Sequence, residues 1–245
     1  MLPILVLETS GASLGVALIS DRGVLFEENV SEGLIHGRAL APLMGQALAS
    51  AGLKAAELAA VGVSLGPGSW TGLRIGISAA KTFAWAAHVP LICVPSFEAL
   101  AAGAAYREPG VSTVLTLRDA RSEGFFAALF DVTAGEPRRL MNECVLQLDA
   151  LIPAVAALQN AAGRFEILVC GDEKCLKSIE SDCARHGWRT LKDSQHISAG
   201  DTARRALARW LSGEGVLKSA EEIHRLGPLY LRASDPELKL SRSQA

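Results

Sequence analysis

Short apolar runs separated by polar turns open the chain, and they predict β-strands at 3–8, 12–20 and 23–30. The turn between the last two strands contains Asp21-Arg22-Gly23. Connections this short join antiparallel neighbours. The chain is therefore predicted to begin as an antiparallel meander of three strands.

Alternating helical and strand-like patterns follow the meander. They predict a helix over about 38–51, a strand at 58–64, a helix reaching residue 87 and a strand at 89–94. We expect Ser96 to cap the next helix, with Glu98 in its first turn. Pro42 interrupts the first of these helices, so that helix either starts near Ala41 or is kinked.

The same pattern restarts after Gly110. Segment 114–131 repeats the strand, polar turn and strand of segment 5–20. The rest of the second half is predicted as a strand at 140–147, a helix from Asp149, a strand at 167–170 and helices over 173–186 and 202–211. Two similar halves of about 100 residues each indicate an internal duplication.

This outline predicts an α/β protein with the duplicated ribonuclease-H-like fold of the actin/Hsp70-like (ASKHA) superfamily. Each of its two lobes would be a mixed sheet flanked by helices. We place the first lobe at 1–105 and the second at 106–215. Residues 216–245 are expected to return to the first lobe and to end in a frayed tail.

Small residues recur every fourth position in both helices of the first half. They are Gly37, Ala41, Gly45 and Ala49 in the first helix and Gly72, Gly76, Ala80 and Ala84 in the second. A helical glycine costs about 0.5–1 kcal/mol relative to alanine, so close backbone approach between two helices is the simplest reason for these residues. Neither helix has a broad charged face, so each is expected to be covered by the second lobe or by a partner protein.

A glycine-rich turn, LGPGSWTGLR at 65–74, connects the strand to the second of these helices. Such turns often bind phosphate through free backbone N–H groups and the helix dipole. This one lacks the Lys-Ser/Thr ending of a P-loop, and the GxGxxG spacing is not matched. We therefore interpret the turn as the start of a helix built for close contact rather than as a phosphate site.

The charge balance excludes a global attraction to nucleic acid. The net charge is −2 and the isoelectric point about 6.2, so an RNA role would need a local patch or a basic partner. The first ten residues lack a basic start and are predicted as a buried strand rather than a signal peptide. The apolar stretch at 83–94 is interrupted by His88 and Pro90 and is too short to span a bilayer. We expect a soluble, cytoplasmic protein without membrane contact.

Three cysteines and a histidine lie close together in the second half. Cys170, Cys175, Cys183 and His186 raise the question of zinc, but their spacing matches no common ligand pattern. The expected role of these cysteines is that of small buried thiols.

The sequence contains few candidates for catalysis. It has no H-E-x-x-H motif, nucleophile elbow or aspartate-rich metal motif. Glu8, Thr9 and Ser10 stand where an actin-like ATPase has its first phosphate loop, but no basic residue is nearby in sequence and a polar strand end is favoured. The turn at 170–173 has one glycine, whereas an adenosine-binding turn of that fold typically has two adjacent ones.

Several segments resemble the TsaB (YeaZ) family. GPGSWTGLRIGISAAKTFA at 66–84 is similar to its GPGSFTGLRIG-type signature, and LVLETS, HGRALAPLM, DARSEGFFAALF and PLYLR resemble further family segments. The resemblance covers essentially the whole chain, with Glu8 where Asp is common and Trp70 where Phe is common. It implies the ASKHA fold and a requirement for threonylcarbamoylation of the adenosine beside the anticodon of ANN-decoding tRNAs.

The resemblance also implies a non-catalytic paralogue of TsaD, the catalytic subunit. TsaD has a metal-binding H-x-x-x-H after a V-P-x-I-x-V strand; here that strand is 89–94, and Ser96 and Leu100 stand at the histidine positions. Leucine cannot bind a metal, and serine is a poor substitute for imidazole. The acidic side chains of TsaD's E-T-S-C-D-E-T loop are missing from segment 8–14, ETSGASL, beyond its first residue. We therefore assign no catalytic, cofactor-binding or metal-binding residue.

The implied partners are TsaD in a heterodimer and TsaE, a small ATPase. The chain would form a homodimer when alone and reach tRNA only through the complex, as a scaffold or activator without a cofactor. The alternative is a stand-alone actin-fold ATPase or kinase, or a glycoprotease-like metallopeptidase. The expected partner interface comprises residues of the two small-residue helices: His36, Leu40, Ala41, Leu43, Met44, Gly45, Ala47, Thr71, Gly72, Ile75, Gly76, Ala79 and Lys81.

Overall fold

The computed structural model describes residues 2–31, 36–161, 166–191 and 197–231, without the side chain of His36. The strands in these ranges are β1 (Ile4–Glu8), β2 (Leu14–Ser20), β3 (Gly23–Val30), β4 (Ala60–Ser64), β5 (Leu91–Val94), β6 (Thr113–Asp119), β7 (Phe125–Asp131), β8 (Arg138–Leu146), β9 (Ile167–Gly171), β10 (Arg189–Thr190) and β11 (Val216–Leu217). The helices are α1 (His36–Ser50), α2 (Trp70–Ala87), α3 (Ser96–Arg107), α4 (Leu148–Ala161), α5 (Glu173–Ser178), α6 (Glu180–His186), α7 (Ala199–Ser212) and α8 (Ala220–Arg225).

Two mixed sheets contain these strands, and five strands of the first have the same order as the five strands of the second. The first sheet has β11 as a sixth strand, antiparallel to β5. The first sheet runs β11-β5-β4-β1-β2-β3 and the second β10-β9-β6-β7-β8. In each sheet an antiparallel meander, β1-β2-β3 or β6-β7-β8, continues through strands parallel to its first member. The predicted meander, the duplication and the two-lobed α/β fold class are thereby confirmed.

The helices cover both faces of each sheet. Helices α1 and α2 pack on one face of the first sheet, and α7 packs on the other. Helix α3 follows the first sheet in sequence but packs on the second sheet and on α7. A continuous apolar core, which includes Phe97, Phe130 and Ala203, therefore joins the two sheets through α3 and α7. The residue limits assigned to the lobes stay a prediction, while β11 does return to the first sheet beside β5.

Backbone N–H groups fix the start of α7 on the first sheet. The Ala199 N–H donates to Asn29 Oδ1 at 2.9 Å, and the Gly200 N–H donates to Glu27 Oε1 at 3.0 Å. Both acceptors lie on β3. Since free N–H groups and the dipole make a helix N-terminus electropositive, a carboxylate and an amide oxygen are suitable partners there.

A buried carboxylate links α3 to α7 and β8. Glu98 is 1% exposed and pairs with Arg139 at 2.6 Å, Arg205 at 2.8 Å and Arg209 at 2.8 Å. We call these four residues the Glu98 cluster. An ionised group this deeply buried needs such charge-assisted partners, so the cluster holds elements from both halves in one arrangement.

Several helix limits differ from the sequence-based expectation. Helix α1 begins at His36, not near Ala41, and contains Pro42 inside the helix. Proline has no N–H group to bind the carbonyl group four residues earlier in the helix. Because Pro42 is exposed, water can reach that carbonyl group instead. Ser96 is the first residue of α3 rather than its cap, which is Pro95. The single helix expected over 173–186 is divided into α5 and α6 at the buried Ile179.

Candidate functional site

The glycine-rich turn connects β4 to α2, and three of its N–H groups bind oxygen atoms of the same chain. Ser69 caps α2, because its Oγ accepts from the Gly72 N–H at 3.2 Å. The Ser69 N–H donates to the Ser10 carbonyl oxygen at 2.7 Å. The Gly66 N–H donates to Ser96 Oγ at 3.0 Å. These three N–H groups are therefore not free to bind phosphate oxygens.

The loop after β1 lies directly against the turn and α2. A methyl group at Gly68 would overlap the Ser10 carbonyl oxygen, and one at Gly72 would overlap the Thr9 carbonyl oxygen. A methyl group at Gly76 would overlap the Thr9 side chain. The glycines of α2 thus allow contact with this loop, not with another helix, which corrects the interpretation drawn from their spacing.

The same loop is held by a buried polar network. Glu8 Oε1 accepts from the Ser10 N–H at 2.7 Å and from Ser10 Oγ at 2.5 Å, and Glu8 Oε2 accepts from Thr202 Oγ1 at 2.6 Å. From β6 of the second sheet, Arg118 Nη1 donates to the Ser10 carbonyl oxygen at 2.5 Å. All four side chains are buried, so both halves of the chain close this position. The polar strand end expected at Glu8 to Ser10 is therefore hydrogen-bonded to residues from the second half of the chain.

Two further positions compared with TsaD also have structural roles. Ser96 is fully buried and accepts a hydrogen bond from the glycine turn, and Leu100 is 1% exposed in the central core.

In the second half, a methyl group at Gly171 would overlap the Leu117 carbonyl oxygen. That glycine therefore permits the close pairing of β9 with β6. No group of three or more His, Cys, Asp or Glu residues within the described ranges is arranged to hold a metal ion.

The cysteines considered for zinc are buried thiols, as expected. Cys170, Cys175 and Cys183 are 0%, 2% and 4% exposed. Burial raises the pKa of Cys170 to about 12, that of Cys175 to about 12 and that of Cys183 to about 11. Since the thiolate is the form of cysteine that acts as a nucleophile and as a metal ligand, the protonated thiols in these positions are unreactive.

Helices α1 and α2 present a surface on the side of the first sheet opposite α7. In α1 the small residues Gly37, Ala41, Gly45 and Ala49 are all exposed. A methyl group at Gly37 or Gly45 would meet no atom within 4 Å. In α2 the exposed residues Thr71, Arg74, Ser78, Thr82 and Trp85 recur at helical spacing. We call these nine residues the outer helix face.

Twelve of the thirteen residues expected at a partner interface divide into three groups by exposure. Leu40, Leu43, Met44, Ala47, Gly72 and Gly76 are buried within the chain itself. Ala41, Gly45 and Thr71 are exposed, and Ile75, Ala79 and Lys81 are partly exposed. The side chain of His36 lies outside the described residues. Only the exposed and partly exposed groups can meet another molecule without a rearrangement of the core.

Sequence reasoning missed an aromatic stack beside the outer helix face. The rings of Trp70 and Tyr230 stack with centroids 3.7 Å apart and an interplanar angle of 15°. The Arg74 guanidinium lies 4.7 Å from the centroid of the Trp70 ring, and its Nε donates to the Tyr230 hydroxyl at 2.9 Å. No local signal pairs Trp70 with Tyr230, because the whole second half of the chain separates them in sequence.

Two lobes of the same strand order around a shared core define a duplicated α/β protein of the actin-like class. The family model "TsaD: tRNA N6-adenosine threonylcarbamoyltransferase" matches residues 33–179. The tRNA threonylcarbamoyladenosine biosynthesis protein TsaB of Bacillus subtilis is 27% identical over 241 residues, which cover 98% of this chain and 99% of the relative.

Solved structures of YeaZ proteins are also similar to this chain over nearly its whole length. YeaZ from Pseudomonas aeruginosa is similar with a TM-score of 0.74 and 27% identity, over 94% of this chain and 100% of that one. A Pseudomonas aeruginosa protein described as similar to peptidase YEAZ has a TM-score of 0.77 and 28% identity, over 95% and 100% of the two chains. The chain belongs to the TsaD family and, within it, to the TsaB (YeaZ) group. Of the helices that the structure describes, none has the length and apolarity needed to cross a membrane.

Proposed function

We propose that the chain is a non-catalytic subunit in the biosynthesis of threonylcarbamoyladenosine in tRNA. It would act as a scaffold or activator that binds the catalytic threonylcarbamoyltransferase, TsaD, through the outer helix face. The relative from Bacillus subtilis, which aligns over nearly the full length of both chains, is named for this biosynthesis. The matching family is named for the transferase, so the proposed catalytic partner is itself related to this chain.

One observation carries the proposal of a docking role. The small residues of α1 are exposed, although glycine within an exposed helix costs about 0.5–1 kcal/mol relative to alanine. The second lobe does not cover them, because α1 and α2 pack on the sheet face opposite α7. Small residues let the backbone of a second helix approach closely, so a partner helix would offset their cost.

The filled glycine turn supports a role without nucleotide chemistry. Ser10 accepts from Ser69 and from Arg118, so the chain's own carbonyl group lies where an anion would bind. The alternative function, a stand-alone ATPase, kinase or metallopeptidase, would require this loop to move away. Isothermal titration of the chain alone with ATP and magnesium, or with zinc, is expected to show no micromolar binding. Tight binding would favour the alternative.

A bulky side chain at the centre of α1 tests the docking role. Ala41→Trp is expected to abolish heterodimer formation with the catalytic subunit, because the indole would separate the two helix backbones. Its own fold should persist, since Ala41 is exposed. Size-exclusion chromatography with light scattering measures the heterodimer, and reconstituted tRNA modification measures function.

The matched control is Ala157→Trp, an exposed alanine on α4 of the second lobe. It should leave the heterodimer and the modification intact. Undiminished heterodimer and modification with Ala41→Trp would refute the proposal. The chain alone is proposed to self-associate through the same face, so Ala41→Trp should also shift it towards a monomer in sedimentation. TsaE and tRNA are proposed to join only the assembled complex.

A further inference from the structure

The C-terminal strap, residues 226–231, runs beside α2 and is attached to it at several points. Lys81 Nζ donates to the carbonyl oxygens of His224 at 2.6 Å and Leu226 at 2.9 Å, which fixes the start of the strap. The Leu229 N–H donates to the Leu65 carbonyl oxygen at 2.8 Å, at the glycine turn. Lys81, one of the residues expected at the interface, therefore has an internal role.

The strap ends in the aromatic stack that orients Arg74. The Trp70 ring lies beneath the guanidinium, and the Tyr230 hydroxyl accepts from Nε. These two contacts fix the plane of the guanidinium, which in an exposed arginine is otherwise free to rotate. Much of the conformational entropy that binding would cost is therefore lost already in the free protein.

Two donor groups of this oriented guanidinium have no acceptor among the described residues. Arg74 forms no ion pair with a carboxylate in those ranges, and its hydrogen bond to Tyr230 uses Nε. The Nη1 and Nη2 groups remain, and together they form the end of the guanidinium that matches a carboxylate in a bidentate pair. Arg74 is exposed on the outer helix face.

We propose that Arg74 is the charged contact of this face and binds a carboxylate side chain of the partner protein. The inference rests on the proposed function, because it takes the catalytic subunit as the partner. A protein carboxylate is favoured over a nucleic-acid phosphate because, among the described side chains of α1 and α2, only Arg38 and Arg74 are exposed cations. Binding along a phosphate backbone relies on several cations together.

The test measures the affinity of the full-length chain for the purified catalytic subunit, without tRNA, at low and high salt. Arg74→Ala is expected to weaken binding by about tenfold at low salt, and the difference should narrow at high salt because an exposed ion pair is screened. The control Arg22→Ala removes an exposed arginine at the β2–β3 turn and should change nothing. Arg74→Lys keeps the positive charge but lacks the paired Nη1 and Nη2 groups, so it should recover only part of the affinity.

A double-mutant cycle separates orientation of Arg74 from a direct contact of Tyr230. Tyr230→Phe keeps the ring stack and removes the acceptor for Nε, so a weakening of a few-fold is expected. Tyr230→Phe should have no further effect when Arg74→Ala is already present. Additive effects would overturn the role of the strap in orienting Arg74.

Each outcome has a distinct meaning. Equal affinities of Arg74→Ala and Arg22→Ala, or a loss that is independent of salt, would overturn the inference. A loss seen only when tRNA is present would identify a phosphate as the ligand and would also overturn it. If the unaltered chain fails to bind the catalytic subunit, the proposed function itself has failed.

Discussion

At the scale of single residues, the space around each glycine separates two uses of one residue type in neighbouring helices. A methyl group at Gly76 of α2 would meet the Thr9 side chain, whereas one at Gly45 of α1 would have no atom within 4 Å. Both positions share the same spacing of four in sequence. Periodicity places residues on one face of a helix but does not identify what covers that face. The contact with Thr9 is non-local, so the sequence could not predict it.

Alanine substitutions distinguish these two uses. Gly76→Ala is expected to destabilise the fold by about 2 kcal/mol, because its methyl group would overlap the buried Thr9 side chain. Gly45→Ala should stabilise it by about 0.5–1 kcal/mol through helix propensity alone. Urea unfolding followed by circular dichroism measures both. Adding Thr9→Ala should restore most of the stability lost in Gly76→Ala; equal stabilities of the two single variants would contradict the assigned contact.

At the scale of elements, the limits of a helix could be predicted where residues near its ends in sequence determine them. The C-terminal limit of α2 at Ala87 was expected from its pattern, and the glycine turn correctly marked its start. The pair Ser219 and Glu222 forms a capping box at α8, a signal that could have predicted this helix. In contrast, the division between α5 and α6 occurs at Ile179, whose burial depends on the tertiary fold. The residues around Ile179 therefore do not predict that the helix is divided there.

The cap of α2 gives a test at this scale. Ser69→Ala removes the Oγ that accepts from the Gly72 N–H, and should cost about 1 kcal/mol of unfolding free energy. Ser78→Ala, at an exposed position on the same helix, should cost nothing measurable. Thermal unfolding of both variants compares them directly. A Ser69→Ala variant as stable as Ser78→Ala would show that water replaces the cap without penalty.

At the scale of the whole molecule, the duplication was predictable but the crossing of helices between the halves was not. The restart of the strand pattern after Gly110 indicated two similar sheets, and both were found with one strand order. Helix α3 is buried on most of its surface, including Phe97 and Leu100. A helix that is apolar nearly all round can pack on either sheet, so its sequence does not say which one.

The Glu98 cluster tests whether this crossing stabilises the molecule. Glu98→Gln removes the negative charge shared by Arg205 and Arg209, whose side chains are 8% exposed. Arg205 and Arg209 would keep only their pairs with the exposed carboxylates of Glu136 and Glu214. Since the loss of a buried partner is costly, a destabilisation of about 3 kcal/mol is expected. Glu221→Gln breaks an exposed pair with Arg225 and should lose less than about 1 kcal/mol. Chemical unfolding measures both; similar losses would mean that water reaches the cluster.

The loop that fills the glycine turn has a consequence for how the protein responds to its surroundings. A bound solute stabilises a protein in proportion to the logarithm of its concentration, so such stability changes with supply. Here the Ser10 carbonyl group belongs to the same chain and stays at one fixed effective concentration. This contact is therefore formed at any nucleotide concentration, and the fold of this chain would remain constant when the supply of nucleotide falls.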